Sequence, residues 1–488
     1  MRTLICRLIV VLALVFLTFG MGVTGYGADM EIGFARINIT PPIGTQPGWE
    51  QFKGIESEVF VRAMFVSDGT TEIMLISCGI GGFSNEQVER LWKKIEADLD
   101  IPASNITICV THTHSGPPTR PVEGNDAINS YCKRLEAAVI EAATQAHNNA
   151  SKGKLTLGYG ELPGYGFNRR FIMTDGTIQT HPQKLDPHIV RAEGPDSKDL
   201  FVFCAYDEDE KTMGTAVIFG CHSTVMERDS GKISADYPGK LCNYVSERLG
   251  QGTISLFMQG TAGNICQVNP LDGSRREVGV EWTKVMGRAI GGKAIELIES
   301  ASIETRGSIR TLVKTIELPR RKIDPHLANW ALNHKDVPAK GNSLTYEISD
   351  TGVERYDEIK LPKMSLTNRF KTPWWSNAYA EIIRTQLKNK DTTSKITLKA
   401  IAQDNWAMVV IPGGLFIELG NAIKEQSPFK NTIVVDHANG HNKYFPTKKV
   451  FDRGGSYEFN IGTVLFEPEA SDILVEAAVE MLQTVKDM

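Results

Sequence analysis

A chain of 488 residues, 41% hydrophobic and 23% charged, has the composition of a folded globular protein with an ample core. Its 53 Lys and Arg stand against 58 Asp and Glu, a formal net charge of -5. With no long basic block outside the extreme N-terminus, that balance argues against nucleic acid as the main partner and leaves a small-molecule or lipid-like one.

The chain opens with Arg2 and Arg7, the apolar stretch Leu8 to Phe19, then small residues from Gly20 to Ala28. This is the three-part layout of a secretory signal over residues 1–28, so the mature chain is expected to begin at Asp29 and to be secreted, periplasmic or held at the cell envelope. An uncleaved anchor is the alternative, although the apolar run is short for a full span. Residues 29–488 are read as one catalytic domain. Beyond Cys6, the seven cysteines Cys78, Cys109, Cys132, Cys204, Cys221, Cys242 and Cys266 are an odd number without a dense regular spacing. They read as buried small hydrophobes, and the absence of a Cys-x-x-Cys pair leaves no indication of a thiolate zinc knuckle.

Glu31 to Asn38 alternates as a strand and ends at Thr40-Pro41-Pro42. Val59 to Val66 and Thr71 to Ser77 read as a hairpin turning at Asp68-Gly69. An amphipathic helix over Asn85 to Leu99 follows, then a strand over Ile106 to Val110, then a helix over Asp126 to Asn149 with Asn125 or Asp126 near its cap. Further strands are expected at Lys154 to Tyr159, Phe201 to Tyr206, Thr215 to Phe219 and Thr253 to Met258, with Phe167 to Phe171 in a loop. Leu318 to Trp375 is rich in Lys, Arg, Asn and Pro and reads as a surface elaboration or lid. Regular patterning resumes with a strand pair from Thr397 to Ile411 turning near Asp404-Asn405, and the chain closes on a helix from Ala470 to Val485. Strands alternating with helices around polar loops imply an α/β (α+β) fold: a central mixed sheet flanked by helices, with active-site loops at strand ends.

The chemistry concentrates in a few of those loops. Thr111-His112-Thr113-His114-Ser115-Gly116-Pro117 follows the strand Ile106 to Val110. Histidines at i and i+2 lie on one face of an extended run, so both imidazoles are expected to reach the same spot, a candidate metal. A second apolar run delivers His222 to its polar exit in Gly220-Cys221-His222-Ser223-Thr224. Ser234-Ala235-Asp236 comes next, then Gln259-Gly260-Thr261-Ala262-Gly263-Asn264-Ile265-Cys266, whose small residues let a ligand approach backbone amides.

In that order, together with the Asn168-Arg169 pair, these segments resemble the neutral/alkaline ceramidase family from about Ile32 to Glu458. The family consists of secreted or membrane-associated zinc amidases that cut the N-acyl bond of ceramide. The resemblance implies zinc as cofactor, with His112 and His222 as ligands and His114 beside the metal. It implies that Arg169 holds a polar part of an N-acylated substrate, that Tyr444 is a metal-proximal tyrosine, and that Tyr457 donates to the oxyanion, with its spacing one residue longer here. It further implies a role in sphingolipid metabolism with peripheral membrane contact.

Three departures bear on that reading. The family's carboxylate ligand falls two residues after a proline, and here Ile411-Pro412-Gly413-Gly414 puts glycine there; Glu418 on a helix over Leu415 to Ile423, and His441, are the candidate replacements. Cys266 stands where the family has a serine and is a candidate catalytic thiol or a structural residue. The chain stops soon after its last helix, where characterised ceramidases continue into a β-sandwich-like domain, so a more soluble N-acylated substrate is open. Two other functions stay open beside the zinc amidase: a catalytically degenerate binding protein of the same fold, and a metal-dependent esterase.

Overall fold

The computed structural model describes residues 30–42, 53–226, 231–300, 302–335, 373–453 and 456–488. The signal segment and positions 336–372 of the surface elaboration lie outside them. Two sheets pack face to face. The larger runs, in spatial order, through strands Ile254–Gln259, Thr212–Phe219, Ser197–Asp207, Ser151–Asn168, Met30–Asn38, Phe60–Ser67, Glu72–Cys78 and Ile106–Val110. The smaller has four strands, Arg310–Pro319, Thr393–Gln403, Trp406–Val410 and Asn431–Val435.

Side-chain alternation sorts each strand between two cores. In Glu72–Cys78, Met74, Ile76 and Cys78 pack outward against helices Asn85–Leu99 and Asp126–Asn148, while Ile73 and Leu75 face the second sheet. Trp406, Met408 and Val410 meet them from that second sheet, and Ala407 and Val409 face away. Helices Asp236–Leu249 and Val280–Ser300 complete the outer layer on the large sheet, and Ile417–Gln426 and Ala470–Asp487 cover the small one. The fold is therefore mixed α/β with a large mixed sheet flanked by helices, as the sequence implies, and a second, four-stranded sheet is stacked on it. The smaller is built from the last third of the chain, whose apolar strands carry no local mark of which sheet they join.

Local signals hold well. The hairpin pairs Ser67 with Glu72, and Asp68 Oδ1 accepts from the Thr70 and Thr71 N–H groups at 2.9 and 2.7 Å. Ser84 and Gln87 form a reciprocal cap on Asn85–Leu99, and Asn125 caps Asp126–Asn148 by accepting from Ile128. One segment differs: Phe167 to Phe171 is the junction of two strands, Ser151–Asn168 and Arg170–Met173, and not a loop. Asn168 Oδ1 accepts from Arg170 N at 3.0 Å, and the Arg169 N–H is used by Asn264 O at 2.9 Å, so side chain and neighbouring loop hold the break extended. All seven described cysteines are buried and free. Among the described residues, no helix is long and apolar enough to cross a membrane.

The large sheet pairs Glu72–Cys78 with Ile106–Val110 and Thr212–Phe219 with Ile254–Gln259 in parallel, and the small sheet pairs Trp406–Val410 with Asn431–Val435 the same way. Bridges Cys109 to Ala438 and Gly260 to Val435 stitch the ends of the two sheets together. The loops leaving these strand ends form one cluster, the usual place for a site in sheets of this kind.

Candidate metal centre

His112 follows the strand that stops at Val110, and it does not extend that strand: its φ is +57°, in the left-handed region. The two histidines of the loop converge because the backbone turns, not because of strand alternation. His112 Nδ1 lies 2.7 Å from the carbonyl oxygen of Gly81. His222, which follows strand Thr212–Phe219, has its Nδ1 2.7 Å from Ala262 O and 3.0 Å from Ile265 O. A carbonyl only accepts, so both rings carry their proton on Nδ1 and present a lone pair at Nε2.

Those nitrogens face one place. His114 Nε2 is 3.4 Å from His112 Nε2, and one ring nitrogen from each of His112, His114 and His222 lies within 4.8 Å of the other two. Desolvation holds His112 down at about 4 and His222 well below the ordinary imidazole range, so both are neutral at pH 7. Neutral imidazoles with the far nitrogen tied to backbone carbonyls are the state in which histidine takes a metal.

Tyr444 enters from a short strand, Tyr444–Phe445, paired in parallel with Gly414–Leu415. Its hydroxyl donates to His222 Nε2 at 3.2 Å. Behind it lies Arg169, whose guanidinium stands 5.3 Å from the Tyr444 ring and 6.0 Å from the Tyr457 ring. Arg169 Nε donates to Glu458 Oε1 at 2.8 Å and Nη2 to Gly263 O at 2.8 Å. Burial opposes its charge, but Tyr444 and then Glu458 more than offset this and raise its affinity for the proton. Arg170 shares Glu458 at 3.0 Å, and Thr180 donates to the same oxygen at 2.7 Å.

The remaining candidates fall around this cluster. Tyr457 sits edge-on to Tyr444, with ring centroids 5.9 Å apart. Glu418 is engaged elsewhere: its Oε2 accepts from Asn264 Nδ2 at 2.8 Å, and its carboxylate packs against Gly194, where a side chain would not fit. It is not among the ligand atoms that group with the three histidines. The His441 ring lies 6.4 Å from that of His112, beyond the cluster. Cys266 is buried with its sulfur 3.8 Å from His181 Nδ1, and burial pushes the thiol up to about 11, which keeps it protonated at neutral pH.

Two participants have no counterpart among the sequence candidates. Asp436 accepts from the Ala262 and Leu415 N–H groups at 3.0 and 3.2 Å, tying two site loops together. His437 stacks on His112 with ring centroids 3.9 Å apart and planes 13° apart. The signal was present, since Thr432 to Val435 is an apolar run ending in a polar His just as the run before His222 does.

Residues 46–274 match the profile of the family described as neutral/alkaline non-lysosomal ceramidase, N-terminal. The neutral ceramidase of Pseudomonas aeruginosa is 24% identical over 352 residues, covering 68% of this chain and 50% of that protein. Neutral ceramidase A of Dictyostelium discoideum is 24% identical over 331 residues, covering 59% and 44%. The match spans about half the length of these curated relatives. Among solved structures, the neutral ceramidase of Pseudomonas aeruginosa superposes with a TM-score of 0.67 at 15% identity, over 95% of this chain and 75% of that one. At that identity the likeness is one of fold.

Proposed function

We propose, for a chain whose residues 46–274 match the neutral/alkaline non-lysosomal ceramidase family model, that it is a zinc-dependent hydrolase of N-acyl amide bonds. The observation that carries the reading is the pair His112 and His222, each with Nδ1 committed to a backbone carbonyl and Nε2 turned to a shared point. Two imidazoles and a phenol, with a third imidazole beside them, are a donor set suited to zinc. His112, His222 and Tyr444 would hold the ion, which supplies Lewis acidity and a water acidic enough to ionise near neutral pH.

The chain's own groups divide the remaining work. His114, the most exposed of the cluster, would carry a proton to the leaving amine. Tyr457 would donate its hydroxyl to the oxygen on which negative charge develops. Arg169, kept charged between Glu458 and the two tyrosine rings, supplies positive potential there and orients a polar part of the substrate. Cys266 keeps its proton and serves packing. The relatives' names support an N-acylated lipid as the substrate class; the layout of residues 1–28 supports a secreted or envelope location, and a lipid substrate would bring peripheral contact with a membrane surface.

The test is metal content together with turnover. Protein purified with zinc supplied is expected to hold one ion per chain and to hydrolyse N-acyl amides, and His112→Ala is expected to lose both. Absence of metal, with His112→Ala changing nothing, overturns the proposal. A metal-free or inactive binding protein is the second reading, favoured by one observation: position 414 carries no ligand atom.

A further inference from the structure

His437 is 3% exposed, and neither of its ring nitrogens has a hydrogen-bond partner. A neutral imidazole offers one donor and one acceptor, and leaving both unmet in the interior carries a desolvation cost that nothing in the fold offsets. Its backbone adds to this, with φ at +49° in the left-handed region. Orphaned polar atoms and a strained backbone at one residue mark a position held for function.

The surroundings say which function. The ring stacks on His112 and stands 5.8 Å from the His222 ring and 6.4 Å from that of His441. The His437 N–H donates to Gly413 O at 3.1 Å, so the residue is fastened to the loop that carries Gly414. A Cβ built on Gly414 would come 3.1 Å from His437 Nε2 and 2.9 Å from Tyr444 Cδ1. The space where a side chain at 414 would begin is already taken by these two rings.

We propose that His437 is a metal ligand of this chain, supplied from the end of strand Asn431–Val435 into the place where the family resemblance puts a carboxylate at position 414. This rests on the metal-hydrolase reading and completes it with a set of His112, His222, His437 and Tyr444. His437 stacks face to face on His112 and its nitrogens stand outside the group that His112, His114 and His222 form within 4.8 Å, so sharing an ion with them requires its ring to turn about the side-chain bonds. His112 stays tied to Gly81 throughout. A neutral imidazole in place of an anionic carboxylate leaves the ion's charge less compensated, a site closer to the three-histidine type.

Titration with zinc and with cobalt(II) against a chromophoric chelator tests this in the full chain, using wild type, His437→Leu, His437→Asn and His112→Ala. Both His437 variants are expected to bind each metal at least tenfold more weakly than wild type, and their cobalt(II) visible bands are expected to shift. Asn accepts the left-handed backbone that Leu strains, so it keeps the comparison open if the Leu variant folds poorly. Thermal unfolding without metal is expected to change little in His437→Asn, which separates loss of a ligand from loss of fold. Wild-type affinity and an unchanged cobalt(II) spectrum in both variants, with His112→Ala still losing metal, overturn the role of His437 alone. If His112→Ala also binds as wild type, or wild type binds no metal, the metal reading itself falls.

Discussion

Arg169 Nε reaches Glu458 Oε1 at 2.8 Å across 289 positions of sequence, and both side chains are buried. Glu458 also receives Arg170, which is fully buried, at 3.0 Å. Glu458 thus bridges two guanidiniums just behind the tyrosines of the candidate site; Arg170 has a second carboxylate partner in Glu193 at 2.5 Å, whereas Arg169 depends on Glu458. Breaking such a group by removing one partner leaves buried charge uncompensated, at a cost of about 3–5 kcal/mol. Glu458→Gln is therefore expected to lower the thermal unfolding temperature by many degrees, measured by calorimetry, and to raise KM or lower kcat by loosening Arg169.

The same residue sets an acid limit. Burial opposes its charge, but Arg169, Arg170 and Thr180 prevail and hold the Glu458 carboxyl down at about 2. A depressed carboxyl contributes stability that is full above its unfolded value of roughly 4.3 and is lost as pH falls toward the folded value. The wild-type chain should lose stability steeply between roughly pH 4.3 and 2, on the order of 3 kcal/mol from this group. The slope of unfolding free energy against pH, followed by urea titration, should flatten over that window in Glu458→Gln.

Tyr444→Phe keeps the ring that packs against Arg169 and removes the hydroxyl that donates to His222. Zinc affinity is expected to fall by about 10- to 100-fold, the range seen when a group orienting or completing a metal site is lost. Stability without metal should change by less than about 1 kcal/mol, in keeping with one hydrogen bond. Chelator competition and thermal unfolding measure the two.

With its thiol pushed up to about 11, Cys266 is no nucleophile at neutral pH. Cys266→Ala should keep the hydrolysis rate within a factor of a few of wild type, and iodoacetamide should not inactivate the native protein. A hundredfold loss of kcat with unchanged metal content would instead assign the sulfur a chemical role.

Gly33 marks where the first strand meets helix Asp126–Asn148, because an added Cβ would fall on the Ala146 carbonyl oxygen and press on Ala150 N. Backbone cannot yield as a flexible side chain does, so Gly33→Ala is expected to destabilise by about 1–3 kcal/mol. Equilibrium unfolding in urea would show it as a lower midpoint with an unchanged slope.

Much of the fold was legible because its signals are local. The Asp68 turn, the Ser84 and Asn125 caps and the alternation of Glu72–Cys78 each arise within a few residues. Phe167 to Phe171 was misread as loop because its extended form depends on Asn264, nearly a hundred positions on, taking the Arg169 N–H. Glu418 stood on the right helix near position 414, yet its carboxylate turns to Asn264, a partner no helical periodicity reveals.

For the site, local strand-end patterns marked His112 and His222 and the family resemblance added Tyr444 and Arg169; the structure brings these four side chains together. Only the tertiary structure decided what stands opposite Gly414. His437 belongs to the second sheet and His112 to the first, and bridges from Cys109 to Ala438 and from Gly260 to Val435 bring their strand ends together. Such pairings across hundreds of positions follow from burying two sheets face to face. That is a property of the whole core, and no window of sequence contains it.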